Sequence, residues 1–232
     1  MTDDMPDASA LLSVVETRLA ERYGRPHWKA HAPPLDELVA TILSQHTSDV
    51  NSGRAFAELQ ARFPTWEEAA AADEAAITQA IQSGGLAKLK APRIQRMLHA
   101  IEAQTGAYSL DWLRDLPAAD ARARLLALPG VGPKTAACVL LFSLGLPSMP
   151  VDTHVFRVGR RLGLIPAGLG ADAAHAWLDG LIGPARDAIY ALHLNLIRHG
   201  RTVCKARAPA CGQCVLSNRC PSAFNTRKRN LP

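Results

Sequence analysis

Apolar residues recur along this chain at spacings of three and four, the period of a helix with one buried face. In "ASALLSVVETRLAERYG" Leu12, Val15, Leu19 and Tyr23 mark such a stripe, and Gly24 follows as a stop signal. "PPLDELVATILSQHT" repeats it through Leu35, Leu38, Val39 and Ile42, behind two prolines. The same reading predicts helices over 66–81, 94–101, 119–128, 134–144, 155–162, 171–182 and 188–199, parted by short loops carrying Gly or Pro. No alternating run is long enough to predict a strand, and no internal repeat is visible. The expected fold class is all-α, made of many short helices, with the "GLPSMP" segment (145–150) as the best candidate boundary.

Composition narrows the class. A chain of 232 residues can form one domain or two small ones, and its hydrophobic fraction of 48% is that of an ordinary soluble globule. No apolar run reaches the length of a membrane-spanning helix, and the opening "MTDDMPDASALL" lacks the basic region of a signal peptide. The expectation is a cytoplasmic protein with no membrane partner. Its net charge of +5 is unevenly spread: Asp3, Asp4 and Asp7 crowd the start, and no acidic residue follows Asp187. Arg198, Arg201, Lys205, Arg207, Arg219, Arg227, Lys228 and Arg229 fill that last stretch. A one-signed segment attracts polyanions, and nucleic acid is the abundant one, although "NTRKRN" alone reads as a solvated tail.

Four of the five cysteines fall in "CKARAPACGQCVLSNRC", as Cys204, Cys211, Cys214 and Cys220 spaced C-x6-C-x2-C-x5-C. Disulfides are not expected in a chain without a secretion signal. Structural zinc usually takes two close C-x2-C pairs, and only one is present here. Four thiolates in a compact loop also suit a [4Fe–4S] cluster, which the spacing favours over zinc. This spacing at a basic C-terminus resembles the iron–sulfur loop of the endonuclease III family of DNA glycosylases. The resemblance implies a [4Fe–4S] cluster of structural role on these four cysteines, with Lys205 and Arg207 presented to DNA. Cys138, in the apolar "AACVLLF", reads as a small buried hydrophobe.

A second motif, "LPGVGPKTA", resembles the helix-hairpin-helix element of the same superfamily. Gly130 and Gly132 allow a tight turn and close approach of backbone to another surface, and the helix starting near Pro133 points unpaired N–H groups outward. Such a corner suits a DNA phosphate; a lone G-x-G would equally suit a plain helix corner. Lys134 occupies the position the family uses as nucleophile. An amine there can attack C1′ of a nucleotide, displace the base and leave a Schiff base that permits β-elimination. Burial and a positive helix end disfavour an ammonium while a nearby carboxylate favours it, so the balance is not legible from sequence. In "PVDTHVFRVGRRLGL", Asp152 reads as a helix N-cap, and by the resemblance also as the family's catalytic aspartate. His154 and Arg157 follow as possible support for the site or contacts to DNA.

A glycosylase must extrude its target nucleotide and fill the gap. "IQSGGLAKLKAPRI" resembles the family loop that carries a wedge leucine, here Leu86, with Lys88 and Lys90 expected at phosphates. The opposite side of the gap is usually filled by a glutamine. Here "ILSQHTSD" puts Gln45 one position early and His46 in the usual place, and either could serve.

The resemblance, from about Leu35 to Cys220, implies a two-lobed helix-hairpin-helix glycosylase fold with the DNA groove between the lobes. A six-helix barrel lobe would span 27–146, and a cluster lobe 1–26 with 147–232. It further implies a monomeric bifunctional DNA glycosylase and AP lyase of base excision repair. Such an enzyme acts on double-stranded DNA holding an oxidised pyrimidine or an abasic site, and would associate with the bacterial nucleoid. Two alternatives stay open: a sibling enzyme for mismatched or alkylated bases, and a non-catalytic damage-binding protein on the same scaffold.

Overall fold

The structure is a computed structural model and describes residues 5–224, so Arg227, Lys228 and Arg229 lie outside the described residues. The described chain is helical without strands. It divides into two compact units, one formed by residues 30–146 and the other by 1–29 with 147–232. The first break falls after Lys29 rather than after residue 26, and the second falls within the Gly145–Pro150 segment.

In the 30–146 unit, α2 (Pro34–Leu43), α3 (Asp49–Arg62), α4 (Trp66–Ala71), α5 (Glu74–Ala80) and α6 (Ala87–Thr105) come first; α7 (Ala118–Leu126) and α8 (Pro133–Cys138) follow. Together they enclose one apolar core in which Leu38, Ile42, Leu59, Ile77, Ile94, Leu98, Leu125, Val139 and Leu140 are fully buried. The expected 66–81 helix is broken at Ala72 and Asp73, where the chain turns extended and Gln95 captures the Ala72 carbonyl at 2.6 Å. Helix α3 was not expected. Its buried face shows only Ser52, Ala55 and Leu59, too weak a stripe to read, although Ser48 caps it by accepting from Asn51 N–H. The expected 134–144 helix is continuous in space, but its second half, Val139–Leu144, widens into a π-helical turn.

The other unit joins α1 (Met5–Tyr23) to α9 (Thr153–Leu162), α10 (Ala171–Ile182) and α11 (Arg186–Thr202). Val15, Leu19, Val155, Val158, Ile189 and Leu196 are buried here, and α11 packs against both α1 and α9. The cysteine segment after α11 holds only two short 3₁₀ turns, Cys211–Gln213 and Ser217–Arg219. Among the described residues no helix is long and apolar enough to cross a membrane.

Candidate active site

The hairpin before α8 separates the roles of its two glycines. Gly130 has φ +80°, the left-handed region, and a Cβ there would lie 2.4 Å from Arg93 Cδ, so this position demands glycine. Gly132 has φ −99°, open to any residue, and a Cβ would meet nothing. The two glycines do not share one duty: the backbone assigns the tight turn to Gly130 and leaves Gly132 at an open surface. Gly132 is the N-cap of α8, with no side chain to cap it, and Pro133 takes the first helical position, where a missing N–H costs nothing.

Lys134 follows on the first turn, half-buried, with no hydrogen bond to a described residue. Its charge is felt by Glu37 of α2, which packs on α8. Burial pushes the Glu37 carboxyl up from its ordinary value, while the Thr41 hydroxyl, donating to Oε1 at 3.4 Å, and the Lys134 charge pull it back. Sequence reasoning missed Glu37. It sits on the periodic helix Pro34–Leu43 as one of two neighbouring acids, and only packing turns it towards the lysine.

Two further turns of this unit carry left-handed residues that are not glycine. His46 has φ +54° and Leu86 φ +52°, conformations that cost about 1 kcal/mol or more for an L side chain. Leu86, the expected wedge, is 50% exposed and stands as N-cap of α6. His46 is exposed, whereas Gln45 is half-buried and its Oε1 accepts from Arg93 Nη1 at 2.8 Å. Lys88 is exposed as expected for a phosphate contact. Lys90 is not: it is 3% exposed and its ammonium donates to Leu43 O at 2.7 Å and Gly84 O at 3.0 Å. The expectation that Lys90 meets phosphate is corrected, because its donors are spent on the protein's own carbonyls.

In the other unit, Asp152 caps α9. Its Oδ1 accepts from His154 N–H at 2.8 Å and Val155 N–H at 2.7 Å, which leaves Oδ2 outside the cap. The extended strap leading to it is tied down by three side chains. Asp179 Oδ1 accepts from Met149 N–H at 2.6 Å, His175 Nε2 from Val151 N–H at 3.1 Å, and His193 Nδ1 meets Pro150 O at 2.9 Å. Both histidines are buried. Arg157 turns inward: it donates to Cys204 O at 3.1 Å, Gly200 O at 2.9 Å and His154 Nδ1 at 3.0 Å. A Cβ on Gly200 would press within 3.0 Å of His154, so α11 approaches α9 closely only because that residue is glycine. His154 and Arg157 are thus engaged with the protein, linking the Asp152 helix to the cysteine segment.

Cys204, Cys211, Cys214 and Cys220 are all free thiols and all line one pocket, together with Val158, Leu162, His199 and Val203. Among the described residues no three His, Cys, Asp or Glu side chains are grouped so as to hold a single metal ion. Four cysteine sulfurs on one pocket are the donor set a [4Fe–4S] cluster takes. Donors already face the sulfurs: Arg161 Nη1 lies 3.3 Å from Cys204 Sγ, and Leu216 N–H points at Cys214 Sγ at 3.4 Å. His199 Nε2 is 3.4 Å from Cys214 Sγ, and Tyr23 OH meets its Nδ1 at 3.0 Å. Burial pushes His199 down to about 4, so the ring is neutral, and a Tyr23 hydroxyl donating to Nδ1 leaves the Nε2 proton for sulfur.

Arg161, only 8% exposed, also holds the Lys205 and Ala206 carbonyls at 2.8 and 3.0 Å, while the Lys205 and Arg207 side chains stay exposed. Sequence reasoning missed Arg161; within "VGRRLGL" it is indistinguishable from its exposed-looking neighbour.

Comparison with known proteins places these features. Residues 39–176 match the profile of HhH-GPD superfamily base excision DNA repair proteins, and residues 204–220 match the iron–sulfur binding domain of endonuclease III. Endonuclease III of Thermotoga maritima is 30% identical over 214 residues, covering 90% of this chain and 92% of that one. A protein of Arabidopsis thaliana provisionally named a DNA glycosylase is 38% identical over 72% of this chain, which spans 56% of that relative's length. Among solved structures, a non-covalent endonuclease III–DNA complex superposes with a TM-score of 0.80 at 28% identity, covering 95% of this chain and 99% of that one.

Proposed function

The chain belongs to the HhH-GPD superfamily of base excision DNA repair proteins, and from that premise we propose that it is a bifunctional DNA glycosylase and AP lyase acting on oxidised pyrimidines in duplex DNA. Lys134 supports this reading most directly. It is the half-buried amine on the first turn after the hairpin, and an unprotonated amine there is a nucleophile.

In the reaction, Nζ of Lys134 attacks C1′, the C1′–N bond to the base breaks, and the base leaves with the bonding pair and gains a proton. The sugar ring opens to a protonated imine. Loss of a C2′ proton then expels the 3′ phosphate and cuts the strand, and water releases the lysine. Asp152, with Oδ2 outside its cap, supplies negative charge for the cationic sugar or accepts a proton from the amine. Gly132 and the first N–H groups of α8 receive a phosphate next to the lysine, with Gly130 shaping the turn. Leu86 enters the base stack, Gln45 or His46 lies across from it, and Lys88, Lys205 and Arg207 meet the backbone.

Cys204, Cys211, Cys214 and Cys220 hold a [4Fe–4S] cluster, whose contribution is to crosslink a loop with little core of its own. A second reading, a sibling specificity for mismatched or alkylated bases, is favoured by His46 in the exposed left-handed position.

Borohydride trapping tests the reading. Duplexes carrying thymine glycol or an abasic site should give a covalent adduct with the wild type and none with Lys134→Gln. No adduct on either duplex would remove the lyase assignment, and an adduct with Lys134→Gln would remove the nucleophile. Adducts on mismatched duplexes alone would favour the second reading.

A further inference from the structure

Two of the cations of helix α6, Lys90 and Arg93, stand three residues apart and therefore on one face. Between them they reach all three turns that the proposed function places against DNA. Lys90 bridges the carbonyl of Leu43, which ends α2 just ahead of Gln45 and His46, to that of Gly84, just ahead of Leu86. Leu43 O is one of the last carbonyls of α2, and Gly84 O closes a 3₁₀ turn, so each stands where helical pairing ends. Arg93 bridges the same Gln45 turn to the hairpin: Nη1 donates to Gln45 Oε1, and its methylenes pack where a Gly130 Cβ would stand.

Each of the three turns also holds a residue at positive φ: His46, Leu86 and Gly130. Two of these are not glycine, so their backbone persists only because neighbouring contacts hold it there. A buried ammonium with two carbonyl partners is an expensive way to stabilise a core, where an apolar side chain would serve. What it does supply is a directional link between two turns that share no sequence.

We propose that Lys90 and Arg93 are positioning residues that set the three DNA-facing turns before DNA arrives, keeping Gln45 within the scaffold and leaving His46 as the side chain presented to the opposite strand. This rests on the reading of those turns as the DNA-facing ones. It extends that reading, because neither cation touches the substrate and both act through Leu86, His46 and the hairpin.

The test uses the intact holoenzyme with Lys90→Met, Arg93→Met, Leu86→Ala and the Lys90→Met/Leu86→Ala double variant, each checked for iron content. Amide hydrogen exchange without DNA reports the clamp itself. Lys90→Met should speed exchange at 44–48 and 84–89, and Arg93→Met at 44–48, with the α2 and α6 interiors still protected. Unchanged exchange in both variants would overturn the clamp.

Affinity for a duplex with a stable abasic analogue, relative to an undamaged duplex, reports its use. Lys90→Met should lower that ratio about tenfold, and the double variant should lose no more than Leu86→Ala alone. Additive losses would overturn positioning through Leu86. Leu86→Ala with full discrimination would overturn the wedge assignment instead, and the exchange result would still decide the clamp. Should Lys90→Met not fold, Arg93→Met, with its methylenes intact under Gly130, carries the same test for the Gln45 turn. Gln45→Ala should leave discrimination unchanged beside Arg93→Met, whereas His46→Ala should lower it further; the reverse pattern would overturn the assignment of His46.

Discussion

The hairpin corner of the 30–146 unit and the cysteine segment of the other unit both present basic groups, yet they are held in opposite ways. The hairpin grows out of a continuous apolar core: Leu125, Leu128, Val131, Ala136 and Val139 around it are all buried. The cysteine segment from 204 to 224 buries only Leu216 among its side chains. Its shape comes from polar reach: Arg161 to the Lys205 and Ala206 carbonyls, Arg18 of α1 to Val215 O at 3.0 Å, and Ala210 N–H to Val203 O at 3.0 Å. A region with a core of its own holds its surface side chains without help. A region without one needs a crosslink, and four thiols round one cavity are that crosslink's sockets.

The largest way to break this contrast is Cys214→Ser. The variant should lose the cluster's visible absorption and iron, and limited proteolysis should cut within 204–224. Amides of α2 and α6 should keep their exchange protection, and their loss together with the loop would mean the two regions fold as one.

Next is Asp152→Asn, which separates the cap from the chemistry. Asn caps a helix about as well as Asp, so the melting temperature should hold. Turnover on a thymine glycol duplex should fall about 10²- to 10⁴-fold. A matching loss of stability would instead make Asp152 chiefly a cap.

The converse of the cysteine change is Leu98→Ala in the core of the hairpin's own unit. Leu98 is fully buried, so truncation should cost about 2–5 kcal/mol in chemical denaturation and leave the iron content of the folded protein unchanged.

The smallest effect concerns Glu37. Its carboxyl is raised above its ordinary value chiefly by burial, so through that titration range the folded state binds more protons than the unfolded one. Stability from this group therefore rises as pH falls towards its ordinary titration range and is lost as pH rises. Glu37→Gln should be the more stable protein at about pH 7, with the gap closing towards about pH 5; a constant gap in melting temperature would contradict that sign.

Much of this was legible in the sequence where the signal is local. The stripes through Leu12–Tyr23 and Leu35–Ile42 yielded α1 and α2, and the cysteine spacing agrees with the matched iron–sulfur domain. Helix α3 was not legible because its buried face is small and includes a serine. Ala72 and Asp73 broke an expected helix through contacts made by Gln95, 23 residues away.

Sequence alone determined the all-α class, the family, and the residue types available for chemistry, because periodicity and motif spacing are properties of neighbouring residues. Tertiary structure alone decided which polar groups are withdrawn from solvent and what they hold. Lys88 and Lys90 look alike in "LAKLKAP", yet one is exposed and the other is buried against a carbonyl 47 residues earlier. Arg160 and Arg161 look alike as well, and only Arg161 reaches a cysteine sulfur, 43 residues later. A charged side chain's role depends on which orphan carbonyls and thiols the fold brings within about 3 Å of it, and those come from segments that no local pattern connects.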